Sequence, residues 1–202
     1  MSLKLRIRLM DTHLLSHLLL NKPNSYSEDL LLHPRFKNTN FKQAAVLVPL
    51  VKRPSGLHLI LTQRAAHLHH HPSQISFPGG KAEPSDLSLI HTAIRETNEE
   101  IGIQLEQIHP LVKLNTIPTI SGYKVTPIVA LIDENYTTAI DYGEVSSTFE
   151  APLSHLLNPM NTTKHKVFNK KHTYELIFIP FNKKLIWGIT AEIIHSMNHI
   201  TN

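Results

Sequence analysis

The sequence predicts an α/β fold: one domain on a mixed sheet, rather than a doubly wound parallel one. Three observations predict it. At roughly 150 residues per domain, 202 residues make a single domain with an extension. Apolar, β-branched runs recur on both sides of one strongly helical stretch, residues 86–101. Strands and helices alternate irregularly, without the steady β–α–β rhythm of a parallel sheet. A chain this long buries a full core without staples, and 41% apolar against 18% charged residues excludes whole-chain disorder.

Residues 1–40 read as an N-terminal helical arm and linker, and residues 41–202 as the domain. Lys4, Arg6 and Arg8 precede Leu14, Leu15, Leu18, Leu19 and Leu20, but Asp11, His13, Ser16 and His17 interrupt the apolar stretch. That argues against a secretory leader and for an amphipathic helix over Asp11–Leu20, followed by an irregular linker. Ala44–Val51 and Leu57–Thr62 flank the turn Pro54-Ser55-Gly56 and read as a hairpin. His67–Gly80 lacks periodicity and ends in Phe77-Pro78-Gly79-Gly80, a sharp loop. Ser85 or Asp86 caps the following helix, and Gly102 stops it. Further strands are expected near Leu111–Leu114, Tyr123–Ile132 and Tyr174–Ile179, and a helix near Ile189–Met197.

No apolar run approaches the ~20 residues that cross a bilayer, so no membrane is expected as a partner. The absence of cysteine excludes disulfides, thiol catalysis and cysteine-held zinc, and fits a reducing, cytoplasmic compartment. Lys+Arg 20 against Asp+Glu 16 favours an anionic partner without choosing one. A basic nucleic-acid-binding module is the reading from another class. No Lys/Arg stripe interleaved with aromatics supports it, and aromatic content is only 6%.

The chemistry concentrates in Gly80–Ile103. At about 100° per residue, with Glu96 at zero, Glu100 lies near ~40° and Glu99 near about −60°. Three carboxylates therefore share one arc. Leu87, Ile90, Ile94 and Ile101 fall opposite, predicting a core face there. Like charges one turn apart repel, and Arg95 offsets part of this through Glu99. Alone, the acids read as a solvated face. A hard cation such as Mg²⁺ or Mn²⁺ would give them a purpose, since carboxylates one turn apart hold it while leaving room for phosphate. A glycine loop directly ahead lets backbone amides approach that phosphate.

Arg95-Glu96-Thr97-Asn98-Glu99-Glu100-Ile101-Gly102-Ile103 resembles the second half of the Nudix box, whose pattern is G-x5-E-x7-R-E-U-x-E-E-x-G-U with U apolar. In the first half Asp86 stands for Glu, and eight residues rather than seven separate it from Arg95. Ile60-Leu61-Thr62-Gln63-Arg64-Ala65, continuing to Phe77-Pro78-Gly79-Gly80, resembles the signature of the coenzyme A diphosphatase branch, with His69 where that signature has Arg and Ser73 where it has Gly. Gly122–Pro127 and Trp187–Ala191 are similar to later blocks of the same branch.

This resemblance implies an α/β/α sandwich and hydrolysis of coenzyme A or a derivative to 3′,5′-ADP and 4′-phosphopantetheine. It implies Glu96, Glu99 and Glu100 as ligands of Mg²⁺ or Mn²⁺, with Glu99 alternatively the base that takes a proton from water. Arg95 is expected to orient a glutamate. Arg64, His69, Gly79 and Gly80 are expected at the substrate, with a structural salt bridge as the alternative for Arg64. Glu144 is an outside candidate for base or ligand, against an ordinary exposed acid. Other diphosphates, ADP-ribose among them, remain the nearest alternative, and a homodimer stays open. His67, His69, His70 and His71 leave metal binding, anion contact and plain loop open. Tyr123 and Trp187 are candidates to stack on adenine, with core packing the stronger expectation for Trp187.

Overall fold

The computed structural model describes Ser16, Phe36 and residues 40–169 and 172–200. The expected arm helix and linker otherwise lie outside the described residues. The chain runs β1 (Lys42–Arg53), β2 (Gly56–Arg64), β3 (Ile75–Ser76), β4 (Gly79–Lys81), α1 (Leu89–Ile101) and β5 (Ile108–Lys113). It continues through β6 (Ile117–Pro118), β7 (Tyr123–Ile132), β8 (Val145–Pro152), α2 (Leu153–Leu156), β9 (Thr163–Asn169), β10 (His172–Phe181), β11 (Lys184–Trp187) and α3 (Ile189–Ile200).

The apolar run of β1 is buried on both sides, and its alternation divides the core in two. Ala45, Leu47 and Val51 join Ile60, Ile128, Ala130 and Ile132 beneath α1, which adds Ala93 and Ile101. Val48 and Leu50 join Leu57, Leu59, Leu61 and Val129 on the other face, covered by α2, α3 and the buried side of a second sheet. Burial on both faces is why these strands read as continuous hydrophobic runs. The result is the expected α/β class, with helices on both faces of a large sheet.

That sheet is mixed. Its order is β3-β2-β1-β7-β5, with β4 added on β1, β6 on β7 and β8 on β2. The β1 and β7 strands run parallel from Lys42↔Tyr123 to Val51↔Ile132, and the remaining pairs are antiparallel. The three-stranded sheet has the order β11-β10-β9.

The expected hairpin forms, but it opens. Leu50–Arg53 pairs with β2, whereas Ala44–Val46 pairs with β4 through Ala45↔Gly80 and Val46↔Gly79. The glycines expected in a sharp loop are therefore sheet residues, drawn in because a bare backbone fits between β1 and α1. The strands β8, β9 and β11 carry no strong alternation in sequence and were not expected. The helix expected from residue 86 begins at Leu89.

Candidate active site

Ser88 fixes the start of α1: it is extended, and its side chain accepts from the His91 amide at 3.2 Å. Gly102, at φ 70°, ends the helix and returns its N–H to Asn98 O. The cap is thus neither Ser85 nor Asp86. The core face also differs from the angular expectation. Leu87 is 91% exposed and precedes the helix, and Ile90 is 40% exposed. The buried side chains are Thr92, Ala93, Thr97, Glu100 and Ile101. Small residues let the helix settle onto β4, which turns Glu96 and Glu100 inward instead of away from the core.

The contact is close. A Cβ on Gly80 would stand 2.5 Å from the Glu96 carboxyl carbon, and one on Gly79 would stand 2.4 Å from Ala45 O. At Gly79, with φ 150° and backbone on that side, only glycine fits; at Gly80 the nearest neighbour is the end of a side chain. The Gly79 amide donates to Glu100 Oε2 at 3.2 Å. From β2, Arg64 Nη1 lies 4.0 Å from the other oxygen of Glu100. Burial pushes the Glu100 carboxyl up to about 8; the Gly79 amide opposes this, while Glu144 adds to it. Burial likewise raises Glu96 against the pull of Arg95.

Arg95 is a hub. Its Nη1 donates to Glu99 Oε2 at 2.8 Å, its Nη2 reaches Glu96 Oε1 at 3.0 Å, and its Nε and Nη2 hold both oxygens of Asp86 at 2.9 and 3.0 Å. Asp86 also accepts from the Glu83 amide and Thr92 Oγ1, and meets His91 Nδ1. Its bond from Arg95 holds this carboxyl well below the usual range, and Asp86 in turn raises Arg95. Asp86 is the residue whose task sequence reasoning missed. The signal was its place six residues after Gly80, offset by the displaced arginine.

Glu144 lies exposed in the turn before β8, yet its charge acts on both Glu96 and Glu100. Two bonds hold that turn against the end of β2: Ala65 N to Glu144 O at 2.8 Å, and His67 Nε2 to Gly143 O at 3.1 Å. His69, His70 and His71 stand exposed in turns, with His71 at φ 55°, so the segment is not the extended one that alternation would need. Among the described residues no three His, Asp or Glu side chains converge as a ready-made cation site. Tyr123 is half-buried at the start of β7. Trp187 is not core: it is 39% exposed and stacks on Phe178 at 6.5 Å.

A family model described as the NUDIX domain matches residues 41–177. The chain is 38% identical over 170 residues to a protein named uncharacterized Nudix hydrolase NudL in Yersinia pestis (strain Pestoides F), spanning 84% of this chain and 85% of that one. The NudL of Yersinia pseudotuberculosis matches to the same extent. Similar solved structures include the Nudix hydrolase RenU from M. smegmatis, 22% identical with a TM-score of 0.49 over 56% of this chain and 72% of that one. A MutT/nudix family protein from Enterococcus faecalis is 18% identical, with a TM-score of 0.49 over 78% of this chain and 60% of that one.

Proposed function

The chain belongs to the Nudix family, and from that premise we propose that it cleaves the diphosphate of coenzyme A or its derivatives, giving 3′,5′-ADP and 4′-phosphopantetheine or its acylated form. Nudix hydrolases are diphosphatases of nucleoside diphosphate derivatives, and they generally use divalent ions such as Mg²⁺ or Mn²⁺. The narrower substrate rests on the resemblance of residues 60–80 to the coenzyme A signature, which the fold joins to the box. The stretch resembling the coenzyme A signature supplies Arg64 and Gly79, and both meet Glu100, which comes from the box.

The donors suit a hard cation. Glu96, Glu99 and Glu100 offer only carboxylate oxygens, and Glu100 is buried with one amide donor and a guanidinium at 4.0 Å. Glu96 and Glu100 would be the principal residues holding the ion. When bound, it neutralises the diphosphate and makes water a better nucleophile. Arg95 sets the orientation of Glu96 and Glu99. Glu99, whose side chain is 56% exposed, is either a further ligand or the base that takes the proton of the attacking water, with Glu144 as the second candidate base. Arg64 receives a diphosphate oxygen, and Gly79 and Gly80 let the diphosphate approach the backbone. His69, exposed in its loop, is a further candidate to contact the substrate.

The test is product analysis by mass spectrometry on a panel of diphosphates with Mg²⁺ or Mn²⁺. Coenzyme A should yield 3′,5′-ADP. Preference for ADP-ribose would replace the substrate with another nucleoside diphosphate. Salt-dependent RNA retention that persists in Glu100→Gln, with no diphosphate cleaved, would favour a nucleic-acid-binding module.

A further inference from the structure

On the face of the sheet away from α1 lies an open cavity of about 790 Å³, a size suited to a small organic ligand. Gln63, Ser73, Ile75, Asn182, Lys183, Lys184, Leu185 and Trp187 line it. We propose that this cavity binds a phosphorylated nucleoside, with the base against Trp187 and the phosphate on Lys183 and Lys184. Within the proposed function, that ligand is the 3′-phosphoadenosine end of coenzyme A; this identification rests on the coenzyme A reading.

The lining specifies the chemistry. No acid is among the lining residues, so nothing there repels an anion, and two ammonium groups attract one. The indole of Trp187 has Phe178 behind it at 6.5 Å and 19° between ring planes, which fixes a flat, partly exposed platform for a base. The Lys184 ammonium is already positioned, by Gln63 Oε1 and by the ring of Phe149 at 5.0 Å. The Lys183 side chain is exposed at the rim. Gln63, Ser73 and Asn182 supply amide and hydroxyl partners for a base edge or ribose.

The cavity and the acids meet β2 at neighbouring residues. Gln63 and Arg64 are neighbours on β2, and successive strand side chains point to opposite faces. Arg64 turns to Glu100 and Gln63 to the cavity. A ligand whose diphosphate rests at Arg64 would have to carry its nucleoside arm around the sheet edge at residues 64–65 to enter the cavity.

Trp187 is the sole tryptophan of the chain, so intrinsic tryptophan fluorescence reads this cavity directly. Wild-type protein in EDTA is titrated with 3′,5′-ADP, adenosine and inorganic phosphate. The bisphosphate should give a saturable change, with adenosine and phosphate each at least roughly tenfold weaker, as expected when one of two contacts is lost. Lys183→Ala should weaken the bisphosphate by about tenfold with an unchanged circular dichroism spectrum, and raise KM for coenzyme A more than it lowers kcat. No saturable change, or an unchanged affinity in Lys183→Ala, overturns the proposal. Because no ion is present, the two readings separate. Saturable binding without coenzyme A turnover supports the cavity and overturns the substrate; turnover without a fluorescence change does the reverse.

Discussion

Asp86 and Glu100 bracket the same helix, and their side chains are almost equally hidden, at 2% and 5% exposed. Their chemistry is opposite. Asp86 is enclosed by partners: two guanidinium nitrogens, a hydroxyl, an amide and an imidazole surround it, and its carboxyl is held low. Glu100 is enclosed by depth, with one amide at 3.2 Å and a guanidinium at 4.0 Å, and its carboxyl rises to about 8. Concealment alone therefore does not decide what an acid does. A carboxylate whose lone pairs are filled is a joint, and Asp86 uses Arg95 to set two glutamates. One left half-filled has its charged form disfavoured by burial and keeps its proton to higher pH.

The largest expected break in this comparison is Glu100→Gln. Turnover with Mg²⁺ should fall by about a thousandfold, since several kcal/mol of charge stabilisation is removed at about 1.4 kcal/mol per tenfold. Stability should move the other way. Glu100 titrates at its ordinary value in the unfolded chain and near 8 when folded, so its contribution to the fold is present below the ordinary carboxylate range. That contribution is lost as pH rises through about 8. In EDTA the wild type should thus lose Tm, relative to the glutamine variant, between the ordinary carboxylate range and pH 8. A variant that turns over normally, or melts earlier at pH 8, contradicts this account.

Asp86→Ala is the next largest. It leaves Arg95 without its chief partner and should cost about 2–3 kcal/mol, the scale for a charge-assisted hydrogen bond. Thermal melts should fall by roughly 5–10 °C in a domain of this size. Its pH sign is reversed: the stabilisation is present above the ordinary aspartate range and lost only in strong acid. Turnover should drop as well, through Glu96 and Glu99. If melting falls and kcat does not, Arg95 supports the helix without orienting the acids.

Much of this was legible in the residues. The apolar runs of β1 and β2 located their hairpin, the bounds of β7 match the expected strand, and α3 starts where expected. The packing of α1 was less legible, because angular patterning weights leucine and isoleucine. The inner face of that helix is instead Thr92, Ala93 and Thr97, small enough to bring it onto two glycines. Those glycines hid β4 as well, since a residue without a side chain carries no strand propensity. The serines and threonine at the start of β8 likewise hid an edge strand that the register with β2 alone creates. Trp187 reads as core because an apolar helix follows it, yet the strand that bears it turns Ile186 inward and leaves the indole outside.

Gly80→Ala sharpens the comparison with a smaller effect. The atoms nearest the new methyl are those of the Glu96 carboxylate, at the end of a flexible side chain, so stability should change by less than about 1 kcal/mol. The displaced carboxylate should nonetheless lower kcat by roughly tenfold to a hundredfold, the scale of misplacing a catalytic group by about an ångström. A parallel loss of kcat and Tm would mean that the glycine serves packing instead of the reacting groups.

Glu150 supplies the intermediate case, and the smallest effect. Its oxygens accept from Arg53 at 2.9 and 2.6 Å and from the Tyr136 hydroxyl at 2.8 Å, so it is filled like Asp86. Its side chain is nevertheless 25% exposed, and solvent weakens what the partners supply. The bond from Arg53 lowers its carboxyl, so its stabilisation is present above the ordinary glutamate range and fades as pH falls through the depressed value. Glu150→Gln should therefore cost about 1 kcal/mol or less at pH 7, and the difference in Tm should shrink at high salt and vanish in acid. A loss that rivals Asp86→Ala and ignores salt would mean that number of partners, rather than partners together with exclusion of water, ranks these acids.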